Sequence, residues 1–85
     1  MDVREMAGVV NRLKRAQGQL SGVLDMIEAG RDVESVLQQL KAVTRALDRA
    51  AYVALVTELT STIPPEAGIA TEDLERAERL FLTLR

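Results

Sequence analysis

Six basic side chains carry the chemistry this sequence can do. Arg12, Lys14 and Arg15 form one cluster; Lys41, Arg45 and Arg49 form another. The second set is spaced i, i+4, i+8, which places it in one row on a helix. A guanidinium fork matches phosphate oxygens, so such positions suit contact with a nucleic-acid backbone. A row of Lys and Arg is also what any solvated helix face carries, and charge clusters alone are nonspecific. The only aromatic residues are Tyr52 and Phe81, so no platform exists for stacking single-stranded bases.

Equally informative is the chemistry that is missing. There is no Cys and no His in the 85 residues. Disulfides and thiolate metal sites are excluded. The commonest neutral transition-metal ligand and the usual general base are absent too. Carboxylates remain for hard cations, but no EF-hand-like array of them occurs. No metal or cofactor is therefore expected.

Net charge is −2, without the overall basic character of many nucleic-acid binders. The charge is, however, polarised. Residues 1–15 hold Arg4, Arg12, Lys14 and Arg15 against Asp2 and Glu5, and residues 41–49 hold three basic side chains against Asp48. Residues 72–79 are mostly acidic: Glu72, Asp73, Glu75 and Glu78 against Arg76 and Arg79. Local charge is what reaches phosphates.

Helices must position these groups. The first apolar series is Met6, Val9, Leu13, Ala16, Leu20, Val23 and Ile27, with the alternating three and four spacing of a helix. Asp2 is a candidate N-cap, and Gly30 a C′ residue in the left-handed conformation. Gly18 and Gly22 leave room for close approach of another helix. Asp32 can cap the second helix, whose series is Val33, Val36, Leu40, Val43, Leu47, Ala50 and Ala54, widened by Leu37, Ala51, Leu55 and Leu59. That stripe is broader than one partner needs, so oligomerisation is expected. Pro64 and Pro65 stop the second helix. Thr71 can cap a third, with Leu74, Ala77, Phe81 and Leu84 as its buried stripe.

The chain thus reads as one all-α domain over 1–85. The first helix spans about 3–29 and the second about 33–62, a linker covers 64–70, and the third helix spans about 72–84. Two long antiparallel helices and a short C-terminal one are expected to assemble as a dimer or a dimer of dimers. The apolar runs are too short to span a bilayer, and the N-terminus MDVREMAG is unlike a signal peptide. A cytoplasmic protein with no membrane partner is the expectation.

The run Arg12–Asp32 (RLKRAQGQLSGVLDMIEAGRD), continued by LQQLKAV and RALDRA, closely resembles the CsoR/RcnR/FrmR family of small helical bacterial repressors. Its members sense metals, reactive sulfur or formaldehyde through Cys and His. The resemblance implies a dimer or tetramer with a basic face that includes the counterparts of Arg12, Arg15 and Arg49. It implies binding to duplex operator DNA through backbone and shape, because the family lacks a helix-turn-helix unit. Lys14, Lys41 and Arg45 are further candidates on that face.

In copper-sensing members, a Cys early in the second helix of one subunit joins a His and a Cys near the end of its partner's. Gapless alignment puts these ligands at Val33, Glu58 and Thr62, and a supporting Tyr at Asp32. Val33 cannot ligate and reads as a core residue. One carboxylate and one hydroxyl are too few for tight metal binding, and without thiols the copper, sulfur and formaldehyde inputs all fail. If a small-molecule pocket exists, it is expected between Val33 of one subunit and Glu58 and Thr62 of the other. The plainer reading of TELTSTI (57–63) is local bonding of hydroxyls to the backbone.

Two alternatives stand beside a DNA-binding repressor. One is a helical oligomerisation or regulatory partner without DNA binding, for instance of a Cys-containing paralogue. The other is an enzyme, disfavoured because the Arg residues form rows and no nucleophile–base pair is evident.

Overall fold

The computed structural model of the protein describes residues 1–61 and 71–83, of which 71–74 are described by their backbone alone. Among the described residues the chain forms three α-helices and no strand. They are α1 (Ala7–Glu28), α2 (Val33–Ser61) and α3 (Thr71–Thr83). Thr62, the expected linker over 64–70, the Thr71 cap and the stripe positions Leu74 and Leu84 lie outside what is described.

The start of α1 corrects the expected boundary. Residues 2–7 form i→i+3 turns, with the amides of Glu5, Met6 and Ala7 donating to the carbonyls of Asp2, Val3 and Arg4. Asp2 does not cap the helix. Its Oδ1 accepts from the Arg4 amide at 2.9 Å and faces the Arg4 guanidinium at 3.6 Å. Met6 takes the N-cap position without a side-chain bond.

The end of α1 follows expectation. Gly30 has φ +73°. Its amide donates to the Ile27 carbonyl and the Arg31 amide to that of Met26, both at 3.0 Å. These are the paired bonds of a Schellman ending. Asp32 then caps α2, its Oδ2 accepting from the Ser35 amide at 3.0 Å, while the Ser35 hydroxyl donates to the same carboxylate. Those two contacts, the amide first, hold the Asp32 carboxyl below its ordinary value of 3.8.

This tight connection folds α2 back antiparallel along α1. The seam is built from one small residue every seven: Val9, Ala16 and Val23 on α1, and Val36, Val43 and Ala50 on α2, all buried. Val23, Val36 and Val43 form its centre, with Met26 packed against them. The other half of the heptad stays exposed: Leu13, Leu20 and Ile27 on α1, Leu40 and Leu47 on α2. The stripe expected on α1, like the broader one expected on α2, divides in two, one part buried within the hairpin and one exposed among the described residues. Val33 belongs to the uncovered set at 67 % exposure. It is the first residue of α2, and it stands exposed among the described residues. That corrects its reading as core. Gly18 and Gly22 also meet no neighbour among the described residues, since a Cβ at either would touch nothing within 4 Å.

α3 packs on α2 through Phe81, whose ring lies 5.6 Å from that of buried Tyr52 at 46°. Tilted aromatic pairs at such distances are favourable. Ala77, expected in the buried stripe of this helix, is exposed.

Candidate nucleic-acid interface

Arg12, Arg15 and Gln19 stand at i, i+3 and i+7 on α1, so they share one face. Ala46 and Arg49 stand at i and i+3 on α2. Antiparallel pairing brings the two sets together around a cleft of about 190 Å³ lined by Arg12, Arg15, Gln19, Ala46 and Arg49. Ala46 is small enough to leave space between the longer side chains. Arg12 is half-buried, while Arg15 and Arg49 are exposed, as expected of side chains that bury their stems and keep the charged head in water. Neither Arg12 nor Arg15 is paired with a carboxylate among the described residues. Two free guanidiniums with a third at the rim make a site for an anion with several oxygens.

The other three basic candidates are not part of this cleft. Lys14 is exposed and borders the apolar groove formed by Val10, Leu13, Leu20, Val43 and Leu47. Lys41 and Arg45 are exposed on α2, with Lys41 about 12 Å along the axis from Arg49. Arg49 is not simply solvent-facing, because its Nη1 donates to Oε1 of Glu78 on α3.

Sequence reasoning missed Gln19, Ala46 and Glu78. Gln19 and Ala46 were accessible in principle from helical spacing to Arg12, Arg15 and Arg49. Glu78 pairs across 29 residues and leaves no local signal.

The positions that the resemblance aligns with the sensor ligands are arranged quite differently. Val33 and Glu58 occupy the two ends of α2, about 38 Å apart along its axis. Both are exposed. Glu58 Oε1 lies 3.9 Å from the amine of Met1. Beside it, the Thr60 hydroxyl donates to the Val56 carbonyl and the Ser61 hydroxyl to that of Glu58, both at 2.8 Å. Local bonding of the hydroxyls at the end of α2 thus holds for Thr60 and Ser61. Among the described residues no three carboxylates cluster as a metal site would need.

The described residues thus form a helical hairpin with an arginine cleft on one side and a short third helix packed on α2. The sequence model of the metal-sensitive transcriptional repressor family matches residues 5–83. The match runs through all three helices, and the chain belongs to that family, as the resemblance of Arg12–Asp48 implied. No curated protein and no solved structure gives a significant match.

The family description implies a metal, and the residues here do not fit one of the usual kind. The chain contains no thiol and no imidazole. Val33 offers only methyl groups, and a single exposed carboxylate at Glu58 cannot select a soft or borderline ion. No helix among the described residues is long and apolar enough to cross a membrane.

Proposed function

We propose that the protein is a DNA-binding transcriptional repressor that works as a homo-oligomer and has lost the thiol and imidazole chemistry of metal sensing. The observation that carries this reading is the convergence of Arg12, Arg15 and Arg49 from two helices on one cleft. Each copy of the chain contributes one such cleft. A dimer or tetramer multiplies it, which offsets the slightly acidic net charge of −2 per chain. The target is double-stranded operator DNA, held by phosphate contacts and read through shape.

The uncovered leucines support self-association. Leu13, Leu20, Leu40 and Leu47 present apolar surface on the flank of the hairpin, and a second copy is the simplest way to cover it. Pairing of two α2 helices in opposite directions would bring Val33 of one copy toward Glu58 and Thr62 of the other. That junction is apolar and carboxylate in character, so any signal it receives is not a soft metal. Titrating the full chain with its own promoter duplex tests the reading. Binding should exceed that to random duplex and fall steeply with salt. Equal, weak affinity for both duplexes rules out the operator.

A further inference from the structure

Arg49 lines two clefts at once. One is the basic cleft it shares with Arg12 and Arg15. The other, of about 360 Å³, lies between α2 and α3 and is lined by Arg49, Glu75, Glu78, Arg79 and Leu82. The guanidinium is engaged on the second side, bonded to Glu78. The two partners are unequally held. The Glu78 side chain is 14 % exposed and that of Arg49 51 % exposed. Glu78 stands one turn before Phe81, whose contact with Tyr52 seats α3 on α2. The carboxylate is thus the fixed member of the pair, and the long arginine is the member free to turn elsewhere.

We infer that Glu78 is an intramolecular competitor of phosphate for Arg49, so that α3 restrains the basic cleft. The inference rests on the proposed binding of DNA. The fork is bonded to Glu78 through Nη1, so turning both of its terminal nitrogens onto a phosphate in the other cleft competes with that bond. When Arg49 turns toward the α1–α2 cleft, a largely buried carboxylate is left without its partner, which is unfavourable. Duplex binding and the seating of α3 therefore oppose each other, and the opposition is reciprocal. Whatever tightens α3 on Tyr52 weakens the grip on DNA, and DNA loosens α3. Such a device needs neither thiol nor imidazole.

The test is fluorescence anisotropy of a labelled promoter duplex with the full chain, at several salt concentrations. Wild type is compared with Glu78→Gln, Glu75→Gln, Arg49→Ala and the Glu78→Gln/Arg49→Ala double variant. Glu75→Gln makes the same charge change in the same cleft and serves as the control. Glu78→Gln should bind about two- to fivefold more tightly than Glu75→Gln for each engaged copy, the size of an ion pair at a partly exposed site. In the Arg49→Ala background that advantage should vanish. Hydrogen exchange in α3 of the wild type should speed up when duplex is bound. If wild type binds but Glu78→Gln matches or falls below Glu75→Gln, the competition is wrong and the DNA reading stands. If no variant binds duplex, Glu78→Gln included, both are wrong.

Discussion

The arginine cleft and the sensor positions use the same helix in opposite ways. Arg12, Arg15 and Arg49 come together within one chain, because residues three to seven apart on α1 face residues on the adjacent turn of α2. Val33 and Glu58 sit at the two ends of α2 and can meet their counterparts only in another copy. The cleft is a property of the hairpin, whereas a site built from the other positions would need a second copy of the chain. Substitutions at the exposed Val33 and Glu58 therefore leave the hairpin seam and its arginines untouched.

The largest effect that could break this contrast lies in the cleft. Replacing Arg12, Arg15 and Arg49 together with Ala should weaken duplex binding roughly a hundredfold, at about 1 kcal/mol per lost phosphate contact. The slope of log affinity against log salt should fall by nearly one for each contact removed. The oligomeric state should not change, which sedimentation velocity would check. Retained affinity would move the DNA face elsewhere, with Lys41 and Arg45 the next positions to try.

Stability separates the seam from the sensor positions. Val23 is 2 % exposed, and Val23→Ala should cost about 2 kcal/mol in chemical denaturation. Val33→Ala should cost less than half as much. Equal costs would place Val33 in a packed interior between copies, and the two regions would then be less distinct than the single chain makes them.

The turn that joins them gives a smaller effect. Gly30 adopts a φ of +73°, and Gly30→Ala should lower stability by about 1 kcal/mol through backbone strain, since no neighbour would clash with the added methyl. A neutral substitution would mean that the hairpin closes in another way.

The smallest effect concerns acid. The Asp32 carboxyl is held below its ordinary value of 3.8 by its bonds to Ser35. A lowered pKa in the folded state means that the charged cap stabilises α2 fully above that ordinary value. The contribution is lost as pH falls through the lower folded value. Asp32→Asn should reduce helicity slightly at neutral pH and flatten the loss of stability below about pH 4. An unchanged acid profile would show that the cap is not what titrates.

Most of the scaffold was legible in the sequence because helix signals are local. Gly30 and Asp32 mark the turn by their own chemistry, and the three-four spacing of apolar residues marks both long helices. Two features were not legible. The division of each apolar stripe into a covered and an uncovered half depends on which neighbour each face meets, and spacing treats Val23 and Leu20 alike. The start of α1 at Ala7 rather than near residue 3 reflects the diversion of the Asp2 carboxylate to Arg4. At the cleft, the residue types pointed to Arg12, Arg15 and Arg49, and only the fold separates them from Lys14. The pairing of Arg49 with Glu78 links two helices across 29 residues, beyond any local pattern. The absence of thiol and imidazole needed no fold to be seen, because ligand chemistry is a matter of identity before geometry.

The central claim is that the basic cleft works without a metal signal. It is tested most directly by measuring promoter-duplex affinity of the full chain with and without one equivalent of copper(I), nickel(II) or zinc(II). The account predicts tight, salt-dependent binding that none of these ions changes. Release of the duplex at stoichiometric metal would contradict it.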